Sequence, residues 1–369
     1  MTRGVLLERT IGSIPPPSET AAAEAARLLD AKTKPPGSLG RLEELACRLA
    51  RIRGEVPSRP LAPAIVVAAA DHGVAARGVS AYPQEVTVQM LATFAGGGAA
   101  ICVLAREAGA RLVVVDAGVL GAPEIDGVRS EVVDGVRGTD DLTLGPAMSR
   151  STAVGAIERG IALAIELADD GVEVVGIGEM GIGNTTSASA LAAALLAEDP
   201  VRVCGPGTGL DGAGIERKLY SLRRGLEANG FPRRNADPID VLAGVGGLEV
   251  AFLVGVCLGA ASRRVAVLLD GFITGTAALV ASRIRPSSTA SMIAATRSSE
   301  PGHVLVLEAL GLEPLLDLRL RLGEGTGAAL ALPLVRSAVA ILSDMATFGS
   351  AGVSGREDAA EALPVVADA

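Results

Sequence analysis

Val172-Glu173-Val174-Val175-Gly176-Ile177-Gly178-Glu179-Met180-Gly181-Ile182-Gly183-Asn184-Thr185-Thr186 is the run on which the fold turns. Its first half is a short β-branched apolar stretch, the composition of a buried strand. Its second half is glycine-rich and ends in Asn-Thr-Thr, residues that cap and open a helix. A strand feeding a helix through a glycine turn belongs to a parallel β-α-β unit, and the turn's backbone N–H groups can face an anion at the helix N-terminus. The run also fits GxGxxG at Gly176, Gly178 and Gly181, the dinucleotide-binding spacing. That fingerprint wants an acid at the end of the next strand. Here Glu198 and Asp199 precede the next apolar run, 201–204, and Gly205 comes after it, which weakens a nicotinamide-dinucleotide oxidoreductase reading.

Working outward, similar runs stand at 64–70, 112–115, 201–204 and 265–269, each followed by a helical stretch. Near-continuous apolar strands alternating with helices predict an α/β fold, a mainly parallel sheet covered by helices on both faces. Each run gives way to polar residues or glycine: Asp71-His72-Gly73, Asp116-Ala117-Gly118, Glu179, Gly205-Pro206-Gly207 and Asp270-Gly271. Sites in open α/β sheets are built at those carboxyl ends. The first sixty residues lack such a strand and read as helices at 21–29 and 39–53, while 325–345 is helical again with a kink predicted at Pro333. The tail from Gly355 is rich in Ala, Asp and Glu and is expected to fray. The expected layout is a large α/β domain over 61–300 and a small, mainly helical domain from 1–60 together with 301–369.

The chain has 369 residues, 49% hydrophobic and 20% charged, so a large core can form and wholesale disorder is excluded. Lys+Arg 33 against Asp+Glu 42 leaves a net charge of −9, and the chain has two Tyr, five Phe and no Trp. Neither electrostatic attraction to nucleic acid nor a stacking platform for single strands is present. A positive mean hydropathy calls for a membrane test. The 250–262 stretch is bounded by Glu249 and Arg263-Arg264 and is too short to span; 181–197 is uncharged but carries Asn184, Thr185, Thr186, Ser187 and Ser189, and reads as a buried helix. No membrane span is expected. The N-terminus has no signal-peptide pattern, and Cys47, Cys102, Cys204 and Cys257 form no CxxC, which suits a reducing cytoplasm. His72 and His303 are the only histidines and no HExxH occurs, so no metal site is expected.

Three further stretches could carry chemistry. Gly205 to Lys218 is a second glycine-rich loop ending in a basic pair, of the residue types that cradle phosphate; alone, a solvated helix start is the plainer reading, but beside the first glycine loop a phosphate site is favoured. Leu320-Arg-Leu-Gly-Glu-Gly-Thr-Gly-Ala-Ala-Leu330 sets Glu324 between glycines just ahead of a helix, whose dipole favours a charged carboxylate fit to act as general base. Asp71-His72-Gly73 invites a catalytic histidine, yet no GxSxG accompanies it and a hydrogen-bonded structural histidine is the better reading. Asp140-Asp141 lacks the preceding strand and following glycine loop of a diphosphate-binding acid pair.

With these residues in view, the chain resembles the nicotinate-nucleotide–dimethylbenzimidazole phosphoribosyltransferase family of cobalamin lower-ligand assembly. The resemblance is carried nearly end to end by Lys34-Pro-Pro-Gly-Ser-Leu-Gly-Arg-Leu-Glu43, Ala70-Asp-His-Gly-Val74, Gly78-Val-Ser-Ala-Tyr-Pro-Gln-Glu-Val-Thr87, Gly97-Gly-Ala-Ala-Ile101, Gly178-Glu-Met-Gly-Ile-Gly-Asn-Thr-Thr186, Val245-Gly-Gly247, Leu269-Asp-Gly-Phe272, Ser299-Glu-Pro-Gly-His303 and Arg321 to Leu330. It implies transfer of 5-phosphoribosyl from nicotinate mononucleotide to 5,6-dimethylbenzimidazole, without metal or cofactor, by a homodimer with a Rossmann-like large domain and a small helical one. By motif, Glu324 would take the benzimidazole proton, Tyr82 and Met90 would line the base pocket, Glu179, Gly181 and Gly183 would border the mononucleotide, Lys218 its phosphate, and Asp270 the same cleft. A non-catalytic nucleotide or azole sensor on the same scaffold is the alternative, and the intact Gly323-Glu324-Gly325 speaks against it. The chain departs from the family pattern at Ala295-Thr296, at Thr274-Gly275-Thr276 and at Cys102.

Overall fold

The computed structural model describes residues 4–57 and 61–354. Eight strands are present among them: β1 Pro63–Ala70, β2 Arg111–Gly118, β3 Val128–Ser130, β4 Val174–Met180, β5 Ala266–Leu269, β6 Met292–Ala294, β7 Thr296–Ser298 and β8 Leu316–Leu320. Six form one sheet in the order β3-β2-β1-β4-β5-β6, every pairing parallel. This is the doubly wound order, and the direction of strand progression reverses between β1 and β4. β7 and β8 make a separate parallel pair.

The sequence of β1 explains why it is central. All eight of its residues are buried. Ala64, Val66, Ala68 and Ala70 join one core while Ile65, Val67 and Ala69 join the other, the period of two that splits a strand between two faces. β5 divides likewise, Val267 and Leu269 against Ala266 and Leu268. One face is covered by the helices Arg150–Asp169 and Leu248–Ser262, with every residue of the latter from Leu248 to Ala261 buried. That accounts for the hydropathy of the 250–262 stretch. The other face carries Glu19–Asp30, Arg41–Arg53 and Thr326–Asp344, so segments from both ends of the chain share one core with the sheet. Lys32 adds a tie, its Nζ donating to the Met345 carbonyl at 2.7 Å.

Several expectations are corrected. The 201–204 run is no strand but a single helical turn, Pro200–Val203, because Asp199 accepts from the Val201 N–H at 2.9 Å and Pro200 presets the first helical residue. Four apolar residues are too few for periodicity to separate the two states. The helix expected over 325–345 stands as Thr326–Asp344, with Pro333 inside it. β8 lies in the 301–369 segment read as mainly helical, and β3, β6 and β7 are too short to signal themselves. The tail from Gly355 lies outside the described residues. Two helical stretches, Val86–Glu107 and Thr326–Asp344, are long and apolar enough to meet a membrane-span criterion; the first is broken around Gly96–Ala99 and the second is more than half buried.

Candidate active site

A cleft opens at the carboxyl ends of β4 and β5, walled by Glu179–Ile182 after β4, Asp270–Ile273 after β5, and Leu320–Gly323 after β8. It lies one strand beyond the reversal point of the sheet. The crevice between β1 and β4 is occupied by protein. His72, which follows β1, is fully buried and its Nε2 lies 2.8 Å from Glu249 Oε1, also fully buried. The ring packs so closely on the turn after β4 that a Cβ on Gly181 would sit 3.3 Å from it. Burial disfavours charge on His72, yet Glu249 outweighs it and holds the imidazole above its ordinary value. His72 is therefore placed as the hydrogen-bonded structural histidine read from the sequence, at the strand-order reversal of the sheet.

Gly178 shows what the GxGxxG run does instead. A Cβ there would collide with the backbone of Glu324 and Gly325. The glycine lets the 323–327 turn lie directly on β4, and the Glu324 N–H donates to the Glu179 carbonyl at 3.3 Å. From the other side, Asp270 Oδ2 accepts from the Gly325 N–H at 3.1 Å and Oδ1 from Gly327 at 2.6 Å. Pinned from both sides, three successive residues adopt left-handed backbone: Gly323 at φ 86°, Glu324 at 63° and Gly325 at 87°. Two are glycines, for which the conformation is free; Glu324 carries a cost of order 1–3 kcal/mol that such residues bear at functional sites.

Glu179, Asp270 and Glu324 are all buried. Burial pushes Glu179 up to about 8, helped by the charges of Asp270, Glu249 and Glu324 and opposed by the side-chain amide of Asn184. Burial also takes Asp270 up to about 7 against the pull of its backbone donors, with the Glu324 charge adding to the rise. Glu324 is raised as well, by burial, opposed by the Ile101 N–H 3.5 Å from its Oε2. This corrects the expectation that the helix dipole would favour the charged form: loss of water outweighs the dipole. The Glu324 carboxyl lies by the first turn of the Ala100–Glu107 helix, and Gly323 and Thr326 on either side of it line the Glu179 cleft while Glu324 does not.

Lys218 is fully buried on the Gly212–Ala228 helix. Its Nζ donates to the Gly205 carbonyl at 2.9 Å and to Thr185 Oγ1 at 3.0 Å, directly behind Gly207. Burial lowers its pKa, opposed by Glu300 and Cys204. It stands behind the cleft wall rather than on it. Gly181 lines the cleft, and Gly183, at φ 93°, is the N-cap of the Asn184–Leu196 helix. Tyr82 is 56% exposed and Met90 half-buried on the Val86–Ala95 helix; neither reaches this cleft.

Sequence reasoning missed Asn184 as the partner of Glu179, Thr185 as the partner of Lys218, and Glu300, which accepts from the Gly207 N–H at 2.9 Å. All three lie inside motifs that carry the family resemblance, but nothing in a linear motif says which side chain turns inward. Of the departures, Thr296 donates to the Asp270 carbonyl at 2.8 Å and Thr274 caps the Phe272–Ile284 helix. Asp141 accepts from Thr143 and from Arg77, a loop-bracing role. Among the described residues no group of three or more His, Cys, Asp or Glu is placed to hold a metal ion.

The family model described as Phosphoribosyltransferase matches residues 14–353. The nicotinate-nucleotide–dimethylbenzimidazole phosphoribosyltransferase of Desulforamulus reducens is 50% identical over 351 residues, covering 95% of this chain and 99% of that protein. The enzyme of the same name from Chloroflexus aurantiacus is 51% identical over 351 residues, with 95% and 99% covered. A crystal structure of the Thermus thermophilus enzyme superposes with a TM-score of 0.85 at 44% identity, covering 92% of this chain and all of that one. On its fold, its cleft and these matches, the chain belongs to the nicotinate-nucleotide–dimethylbenzimidazole phosphoribosyltransferase family.

Proposed function

We propose that the protein transfers 5-phosphoribosyl from nicotinate mononucleotide to 5,6-dimethylbenzimidazole, releasing nicotinate and forming α-ribazole 5′-phosphate. The observation that carries this reading is the trio Glu179, Asp270 and Glu324, buried acids close enough to raise one another, with no cation paired to any of them among the described residues. The donor brings the missing charge. Its nicotinate is a pyridinium on C1′, and positive charge moves onto the ribose as that bond breaks. Glu179 and Asp270, which retain protons near neutrality, become favourable neighbours when they ionise beside that cation.

Nicotinate departs as a neutral ring nitrogen and needs no general acid. The benzimidazole alone must lose a proton, and Glu324 takes it; a pKa raised toward the working pH suits that role. Attack on the face opposite the leaving group inverts C1′ from β to α. The Glu324 carboxyl lies by the Ile101 N–H and is not part of the Glu179 cleft lining, an arrangement that supports azole beside Glu324 and mononucleotide in the cleft; Met90 and Tyr82 are assigned to the azole by the family resemblance. Gly181, Gly183, Thr185 and Lys218 favour the phosphate end, where amide donors and a buried cation meet.

We also infer the domain division at 61–300 against 1–60 with 301–369, a homodimer, and a cytoplasmic setting. Packing of Arg41–Arg53 against Thr326–Asp344 supports the first and four free cysteines the last. Light scattering of the purified protein tests the dimer. For the reaction, incubation with nicotinate mononucleotide and 5,6-dimethylbenzimidazole yields nicotinate and an α-configured nucleotide. Binding without nicotinate release, or a β-configured product, overturns the proposal.

A further inference from the structure

The cleft has an imbalance that the assigned residues leave in place. Its charged lining is acidic at Glu179, Asp270 and Glu300, all buried, and the single cationic side chain lining it among the described residues is Arg321. Arg321 follows β8, is exposed, and has no hydrogen-bond or ion-pair partner among the described residues. Its neighbour on the same edge, Arg297, is instead engaged with Asp317 at 3.6 Å. The side chain of Arg321 spans the mouth: its Nη1 lies 3.6 Å from where a Cβ on Gly209 would stand, and Gly209 is in left-handed backbone. It therefore reaches from the β8 edge to the 205–210 loop. At that end Gly207 and Thr208 line the cleft beside Thr185, with Lys218 Nζ behind them.

We propose that Arg321 is the clamp that closes on the 5′-phosphate of the donor and makes the site select a nucleotide over the corresponding nucleoside. The inference rests on the transferase reading and names a residue which that reading does not use. Lys218 donates to two oxygens from behind the cleft wall, which leaves its ammonium one further donor but no planar pair of donors to offer a phosphate. A guanidinium offers planar paired donors that match phosphate oxygens two at a time, and it stays charged at any working pH. A free, solvated arginine at the mouth also costs the empty protein little, because it leaves no buried charge unpaired. Proximity to the 205–210 loop favours the phosphate over the nicotinate carboxylate as its partner.

The test compares wild type with Arg321→Ala and Arg321→Lys, exposed substitutions that leave the core untouched. With nicotinate mononucleotide as varied substrate, Arg321→Ala raises KM by about 10- to 100-fold, the size of a charge-assisted hydrogen-bond pair, while kcat changes by less than about threefold. Arg321→Lys recovers part of that loss, since it keeps the charge but not the paired donors. Ribose 5-phosphate, used as a competing ligand, weakens by the same factor in Arg321→Ala, and inhibition by nicotinate is unchanged. A KM within about twofold of wild type, a loss confined to kcat, or a loss seen with nicotinate but not with ribose 5-phosphate overturns the proposal. Wild-type turnover in the same assay reports separately on the reaction. If it is absent, calorimetric binding of ribose 5-phosphate to wild type and Arg321→Ala still decides the clamp.

Discussion

Two clusters of buried charge sit side by side at the carboxyl edge of the sheet, and they are built in opposite ways. At the β1–β4 reversal, Glu249 is matched by His72 at 2.8 Å, and the His72 ring packs against the turn after β4. One strand over, Glu179, Asp270 and Glu324 lie close together with no cation paired to any of them among the described residues, and each is pushed toward its neutral form. A buried acid with a partner cation is finished when the chain folds. Buried acids without one are completed by whatever arrives. The first arrangement holds the turn after β4 in place; the second waits for a positively charged reactant.

The sharpest way to break this comparison is Glu324→Gln. Turnover falls by about 10²–10⁴-fold, the usual contribution of a general base, with mononucleotide binding largely retained. Near-normal turnover removes Glu324 from catalysis. On the other cluster, Glu249→Leu leaves His72 buried alone and lowers stability by about 3–5 kcal/mol in denaturant titration, whereas replacing both residues with Leu restores most of it. Equal stability of the single variant and the parent would show that the pair does not hold the turn. Lys218→Met weakens mononucleotide binding by roughly tenfold with fold retained, the scale of a lost charged hydrogen bond; an unchanged Kd takes the lysine out of the phosphate site.

The smallest effect is the most diagnostic of the difference in design. Glu179 titrates near 8 in the folded protein and near 4.5 unfolded, so the folded state holds an extra proton between those values and stability falls as pH rises through that window. Glu179→Gln removes that penalty and raises Tm at pH 8 by at least about 2–4 °C, the size of each 1 kcal/mol in a large domain, with no gain at pH 5. His72, raised above 6.5, contributes stability that is full below pH 6.5 and fades as pH climbs through its folded value, so it adds to the same downward trend. A Glu179→Gln variant that melts like the parent at pH 8 would mean that the acid is solvated and not poised.

Much of the architecture was written in local pattern. The strands at 64–70, 112–115, 172–177 and 265–269 were legible because parallel strands buried on both faces are apolar without interruption. The 201–204 run misled because its four residues fit either state and Asp199-Pro200 settled it by capping. β3, β6 and β7, of three residues each, owe their existence to an adjacent strand edge rather than to any propensity of their own. Around the site, Glu324 stood out by its flanking glycines, and their left-handed backbone is what those glycines permit. Tyr82 and Met90 entered by resemblance, and the Glu179 cleft does not extend to either.

By itself, then, the amino-acid order determined the strand and helix alternation, the polar and glycine residues at the strand ends, and the identity of Glu324 as an acid set between two glycines. Tertiary structure alone decided that GxGxxG serves close packing of the 323–327 turn, that His72 and Glu249 fill the reversal point, and that Lys218 stands behind a wall while Arg321 crosses the mouth. The physical reason is one of range. Hydrophobic periodicity and turn chemistry act between neighbours in the chain, whereas burial, and with it the protonation of Glu179 and Asp270, depends on which distant segments exclude water from the same few ångströms.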